Sequence, residues 1–324
     1  MRATAKAHTN IALIKYWGKR NEKLILPTNS SLSLTLDGFY TVTTTEFRDD
    51  LSKDVFILNG KEVEGEAYER VSSYLDLIRS YSKTERYAHI DSTNEVPTAA
   101  GFASSASGFA ALAASATKAL GLQLDDKELS ILTRQGSGSA CRSIYGGFVE
   151  WQMGEKEDGS DSYGVPIASE NYWDVRMAGV VLTAKTKKVS SRSGMKRTVD
   201  TSPYYSGWLA SVPNDLENIK EAIREKDFEK LGSIAEANCL KMHATTLAAN
   251  PPFTYWLDST VRVMHAVQQL REEGIPAYFT IDAGPNVKVL YLPESEAKVA
   301  AALKSIPGVT DVILSKPGPG ITYL

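Results

Sequence analysis

Five short stretches of this chain hold side chains whose types and spacing can do chemistry, and four of them are built to meet anions. In Pro97-Thr-Ala-Ala-Gly-Phe-Ala-Ser-Ser-Ala-Ser, residues Gly101, Ser104 and Ser105 lie where a loop must turn into a helix. Free N–H groups and the positive end of the helix dipole attract phosphate at such a point. Small neighbours let a polyphosphate approach the backbone, and the serine hydroxyls can donate to its oxygens or ligate magnesium. The Gly-Lys-Ser/Thr ending of a Walker loop is missing. An alanine-rich packing helix with a serine cap would read the same way.

The second stretch, His8 to Lys19, ends in Lys15, Tyr16 and Lys19. It places two ammonium groups and a phenol at the mouth of a cleft, or else it is a solvated basic strand end. In the third, Gly136-Ser-Gly-Ser-Ala-Cys-Arg, the hydroxyls of Ser137 and Ser139 suit phosphate oxygens. The planar guanidinium of Arg142 suits a carboxylate gripped by two parallel hydrogen bonds, though a structural acid would satisfy it equally. The fourth, Lys187-Lys-Val-Ser-Ser-Arg-Ser-Gly-Met, concentrates cations and hydroxyls as a diphosphate site would, and as basic surface loops also do. The fifth supplies the acid. Asp282 closes the apolar run Phe279-Thr-Ile just before a turn, as a base or positioning group for a substrate hydroxyl or as a turn cap.

These groups need elements to hold them. Alternating patterns from Ser31 and from Tyr40, and a hairpin turn at Asn59-Gly60, predict an antiparallel sheet interrupted by a helix over 66–80. A strand over 87–96 follows. An alanine-rich helix then runs to Gly121, and a second helix opens on the Asp125/Glu128 capping box. The stretch 136–143 reads as a loop, 146–153 as a strand, and 154–171 as an exposed loop near a domain boundary close to Asp174. Beyond it come a buried strand at 177–184, helices over 215–225, 227–249 and 253–273, and then strand, strand, helix and strand. The fold class is α+β with two domains, 1–174 and 175–324.

Composition bounds the function. The chain has 324 residues and a net charge of -3, so no global field draws it to nucleic acid or to an acidic membrane. Its longest apolar runs fall far short of a membrane span. Cys141 and Cys239 make no disulfide framework or zinc site and suit a reducing cytoplasm. His8, His89, His243 and His265 have no metal-ligand spacing, and the magnesium ligands are not identified by any spacing.

The loop at 97–106 resembles the signature of the galactokinase, homoserine kinase, mevalonate kinase and phosphomevalonate kinase superfamily, with Phe102 in place of the commoner leucine. Together with AHTNIALIKYWGK, GSGSACRSIYGGFVEW, KKVSSRSGM, ANCLKMHATTLAANPPFTYW and YFTIDAGPNVKVL, it is similar to the diphosphomevalonate decarboxylase family as far as about residue 290. The closing KPGPGITYL carries no usable motif. The resemblance implies a ribosomal protein S5 domain 2-like N-terminal domain, a ferredoxin-like C-terminal domain, an active site between them, and a cytoplasmic homodimer.

The implied reaction uses ATP and magnesium to phosphorylate the 3-hydroxyl of (R)-5-diphosphomevalonate. Phosphate and carbon dioxide then leave together, giving isopentenyl diphosphate. Carried onto this sequence, Asp282 orients or deprotonates the hydroxyl, Lys19 keeps Asp282 ionised, and Arg142 grips the substrate carboxylate. Tyr16, Lys19, Ser137, Ser139, Arg192, Met195 and Ala283 hold the substrate and its diphosphate, with Ser191 near the transferred phosphoryl group. Ser92, Asn94, Gly101, Ser104 and Ser105 contact ATP. A kinase without decarboxylation shares the ATP loop, but Asp282 and Arg142 favour the decarboxylase. A non-catalytic relative would have no need to keep Lys19, Arg142, Arg192 and Asp282 together.

Overall fold

The polar–apolar alternations near the start of the chain become its central strands, because β-branched and small residues fill a pleated surface well. In the computed structural model, which describes residues 1–95, 104–183 and 188–324, β1 (Arg2–Ile14) lies antiparallel to β4 (Ser31–Arg48), with Ile11 opposite Leu34. The two patterns read separately from Ser31 and Tyr40 are one strand of 18 residues. Between β1 and β4 sits the small hairpin β2 (Lys19–Asn21) and β3 (Leu26–Pro27).

The turn at Asn59-Gly60, both residues at positive φ, joins β5 (Val55–Leu58) to β6 (Lys61–Glu62), as its type predicts. α1 (Glu66–Ser82) then leads to β7 (Tyr87–Glu95), which pairs antiparallel with β4 but parallel with β5. The sheet is therefore mixed and not antiparallel throughout, since α1 serves as the crossover that parallel pairing requires. α2 (Ser104–Ala119) and α3 (Asp126–Gly136) follow, and the predicted capping box at Asp125 and Glu128 is present. With α1 they bury Tyr74, Phe109 and the alanines of α2 against the sheet.

Three local readings differ. The stretch expected as a loop at 136–143 winds into a 3₁₀ turn, Gly138–Ile144, leading to β8 (Phe148–Trp151). The segment 154–171 holds a strand, β9 (Gly164–Ala168), stabilised by pairing with β8 and not by any pattern of its own. The run Ser-Arg-Ser-Gly-Met is no loop but the start of α4 (Ser191–Thr201), after β10 (Arg176–Val181), with the Ser190 hydroxyl accepting from the Ser193 N–H as its cap.

α5 (Tyr205–Glu225) begins well before Pro213. The proline would break an isolated helix, but Trp208, Val212 and Leu216 bury one face of it in the core. Then come α6 (Phe228–Leu247), α7 (Asp258–Glu272), β11 (Ala277–Ile281), β12 (Val287–Tyr291), α8 (Glu296–Lys304) and β13 (Asp311–Ser315). A four-stranded sheet in the order β11-β12-β10-β13 results, with α7 and α8 packed on it. A third core cluster joins the two units, since Trp17 and Phe39 from the first pack with Tyr205, Trp208 and Phe228 from the second.

The tail without a motif returns to the first unit. β14 (Thr322–Tyr323) pairs with Ala5 and Lys6 of β1, and Leu36 bridges Pro317. Gly318 donates to the Thr35 carbonyl at 2.8 Å, and a Cβ on it would stand 2.6 Å from the Asp37 nitrogen. The strand backbone cannot give way there. Gly318→Val is expected to cost roughly 1–3 kcal/mol of stability, as overpacking does, and urea unfolding followed by far-ultraviolet circular dichroism measures it.

Candidate active site

A cleft of about 620 Å³ opens where the end of β1, the starts of α1, α2 and α4, the 3₁₀ turn and the β11–β12 turn converge. Its deepest chemistry is an ion cluster. Lys15 leaves the end of β1 with its Nζ 2.6 Å from Asp282 Oδ1 and 2.8 Å from the Ala12 carbonyl. Lys288, from the middle of β12, brings a second ammonium 3.3 Å from Asp282 Oδ2. Both lysine side chains are at most 3% exposed, and Asp282 is 22% exposed. Burial alone would push the Asp282 carboxyl up, but Lys15 and Lys288 more than reverse that and hold it well below the usual carboxylate range. Burial pushes Lys288 down, against the pull of Asp282.

Lys19 is not the partner of Asp282. The chain turns at Gly18 (φ 120°) into β2, which carries the Lys19 ammonium to the cleft wall, where it pairs with Glu22. Lys15, four residues earlier, faces the acid in its place.

Arg142 lies fully buried beside this cluster. Its Nε donates to Asn10 Oδ1 at 3.0 Å and Ser33 Oγ at 2.9 Å, and its Nη1 to Ser31, so strands β1 and β4 fix the guanidinium plane. The Tyr16 phenol, packed edge-on to Trp151, has no hydrogen-bond partner among the described residues, and burial drives its pKa upward. Ser137, Ser139, Ser191, Arg192, Met195 and Ala283 all line the same cleft.

Across from Asp282, Ser104 and Ser105 open α2, with the Ser137 hydroxyl 3.5 Å from that of Ser105. Arg70 reaches the cleft from α1 over the Phe109 ring and donates to the Gly136 carbonyl at 2.8 Å. Burial first, and Arg192 second, lower it to about 10. Ser92 and Asn94 are on β7, bonded to Thr43 and Thr41, and are not among the cleft-lining residues. Gly101 lies outside the described residues.

A model of the "diphosphomevalonate decarboxylase-like N-terminal domain" matches residues 7–164, and one of the "mevalonate 5-diphosphate decarboxylase C-terminal domain" matches 179–316. The diphosphomevalonate decarboxylase of Eremothecium gossypii is 41% identical over 327 aligned residues, covering 95% of this chain and 82% of the relative. The chain belongs to the diphosphomevalonate decarboxylase family. Among solved structures, the mevalonate diphosphate decarboxylase of Staphylococcus aureus superposes with a TM-score of 0.95 at 48% identity, over 100% of this chain and 98% of that one. MDDEF in complex with MVAPP, AMPPCP and magnesium gives 0.94 at 49% identity, over 100% and 99%.

Against this family background, the structure adds pairings and residues that the motifs did not assign. Lys15 and Lys288 hold Asp282, Asn10 orients Arg142, and Arg70 lines the cleft with Ser104 and Ser105. Lys288 had a signal in the sequence: one lysine inside the apolar run Val287 to Tyr291 must be buried, and a buried ammonium needs an acid. Arg70 had none, because its place on α1 reads as the polar face of a surface helix.

The cluster's electrostatics can be tested directly. In Lys15→Met one of the two cations is gone, so the Asp282 carboxyl is expected to titrate at higher pH than in the parent protein. Carboxyl-¹³C NMR of labelled aspartate, assigned with Asp282→Asn, measures the shift. The sign for stability follows. A depressed carboxyl pKa stabilises the fold above the ordinary aspartate pKa, and this contribution is lost as the pH falls toward the depressed value.

Proposed function

We propose that this chain catalyses the ATP-dependent decarboxylation of (R)-5-diphosphomevalonate to isopentenyl diphosphate, ADP, phosphate and carbon dioxide. The observation that carries the proposal is the Lys15–Asp282–Lys288 cluster, facing Arg142 and the start of α2 in one cleft. Relatives of 41% identity are diphosphomevalonate decarboxylases, and the similar MDDEF structure holds MVAPP, AMPPCP and magnesium.

The roles follow from charge and geometry. Asp282, ionised at any physiological pH, accepts a hydrogen bond from the 3-hydroxyl and aims its oxygen at the γ-phosphorus. A carboxylate held so far below its usual range is a weak base, so orienting the hydroxyl outweighs removing its proton before transfer. Once phosphorylated, the tertiary oxygen becomes a good leaving group. Its departure with the phosphate leaves an electron-poor carbon, and the electrons of the breaking bond to the carboxylate form the double bond. Arg142 grips that carboxylate from a plane set by Asn10, Ser31 and Ser33.

Tyr16, with its unpartnered phenol, Lys19, Ser139, Arg192 and the Met195 region receive the diphosphate. Ser191 sits near the phosphate being moved. On the other wall, Ser104 and Ser105 and the opening turn of α2 receive ATP. Among the described residues no group of three or more His, Cys, Asp or Glu forms a metal cage. Magnesium takes few protein ligands beside phosphate and water, and the Ser105 hydroxyl is a ligand of that kind. When bound, magnesium neutralises charge on the phosphates. The two domains, 1–174 and 175–324, both contribute to the cleft, the first with Tyr16, Lys19, Ser104, Ser105 and Arg142 and the second with Arg192, Met195 and Asp282. A cytoplasmic setting suits two cysteines that stay buried and unpaired.

Purified protein supplied with magnesium, ATP and (R)-5-diphosphomevalonate is expected to release ADP, phosphate and carbon dioxide in equal amounts. ADP alone would mean a kinase. Asp282→Asn is expected to lower kcat about 100-fold or more while leaving KM for the diphosphate substrate nearly unchanged. Unchanged turnover would take Asp282 out of the chemistry.

A further inference from the structure

We infer that α6 carries positioning residues for the reaction: Asn238 sets the backbone of Lys15, and Cys239 with His243 sets the residue immediately before Asp282. The inference rests on the reading of Asp282 given above. It begins from an exposed obligation of the sheet. β11 is an edge strand, so the N–H and carbonyl groups of Ala277, Phe279 and Ile281 point away from β12 and need partners.

No neighbouring strand supplies them among the described residues; side chains of two helices do. Arg271 of α7 donates to the Ala277 carbonyl at 2.7 Å, and Glu236 of α6 accepts from the Phe279 N–H at 3.0 Å. Cys239 Sγ accepts from the Ile281 N–H at 3.1 Å, and His243 Nε2 lies 3.1 Å from the Ile281 carbonyl. Glu236, Cys239 and His243 recur at helical spacing on one face of α6. Gly232, one turn earlier, lets that face come close, since a Cβ there would stand 2.0 Å from the Tyr278 ring. The helix thus takes the place of a missing strand and fixes the register of β11 up to the peptide that bears Asp282.

The same helix holds the other half of the ion pair. Asn238 Oδ1 accepts from the Lys15 N–H at 2.8 Å, and its amide donates to Asp215 of α5 at 2.8 Å, which fixes which way the amide faces. Asn238 and Cys239 are adjacent in sequence, so a single turn of α6 spaces β1 from β11 at the point where Lys15 meets Asp282. His243 is neutral there. A carbonyl can only accept, so Nε2 carries the proton, and burial lowers the ring to about 4. A charged imidazolium beside Lys15 and Lys288 would disturb the cluster; the neutral ring holds the strand without adding charge.

The test separates positioning from packing. His243→Leu removes the donor at similar volume, whereas His243→Gln returns an N–H to the same reach. His243→Leu and Asn238→Ala are each expected to lower kcat about tenfold or more, with KM for ATP and for (R)-5-diphosphomevalonate within about twofold, because the reacting groups shift while the binding walls stay. His243→Gln is expected to recover most of the loss. Full kcat in folded variants, or an equal loss in His243→Gln and His243→Leu, would overturn the inference. If His243→Leu does not fold, Cys239→Ala, which deletes only the sulfur contact, reads the same register, and an unchanged kcat counts equally against it. Asp282→Asn run alongside tells the two readings apart. An active Asp282→Asn defeats the role given to Asp282, whereas an inactive Asp282→Asn with fully active α6 variants defeats the positioning role alone.

Discussion

A carboxylate at the floor of the cleft, held between two buried ammonium groups, is the constraint on which the rest of this structure depends. Each of those charges is expensive to remove from water, and each would be far more expensive alone. Lys15, Asp282 and Lys288 come from the end of β1, the β11–β12 turn and the middle of β12. The cluster can therefore form only when both sheets are complete and docked. Assembly of the site and assembly of the fold are one event, and the shared core of Trp17, Phe39, Tyr205, Trp208 and Phe228 supplies the apolar burial that drives it.

Charge is arranged locally. A chain with a net charge of -3 has no strong field, yet Lys15, Lys19, Arg70, Arg142 and Arg192 all border a single cleft. Such a concentration is costly in the absence of an anionic ligand; at Arg70, burial first and the neighbouring Arg192 second lower the pKa. A substrate carrying a diphosphate and a carboxylate, together with a triphosphate, relieves that repulsion. Arg142 plays two parts at once. Its hydrogen bonds to Asn10, Ser31 and Ser33 tie β1 to β4, and the same bonds hold its plane for a ligand. Truncation there removes both a structural tie and a binding group.

Much was legible in the residues. The hairpin at Asn59-Gly60, the capping box at Asp125, the alanine-rich α2 and the strand–strand–helix–strand order after Gly274 all rest on local backbone chemistry, which a sequence states directly. The glycine- and serine-rich stretches and the lone acid at 282 marked the cleft for similar reasons, since small residues and unpaired charge are conspicuous wherever they occur. What went unread was set by partners distant in sequence. β9 exists because β8 lies beside it, α5 continues through Pro213 because its other face is buried, and the tail is ordered because β1 and β4 accept it.

By itself, then, the sequence determined the elements that rest on local chemistry and which residues carry charge, hydroxyl or acid, because propensity, capping and turn chemistry act over a few residues. Only the tertiary structure decided which ammonium meets Asp282. Lys15 and Lys19 stand four residues apart in one motif, and composition cannot rank them. The turn at Gly18 sends one toward Glu22 and leaves the other against the acid. Pairing across more than 260 residues depends on the register of β11 against β12 and α6, and that register is fixed by burial and by the hydrogen bonds of an edge strand. Neither has a signature that can be read along the chain.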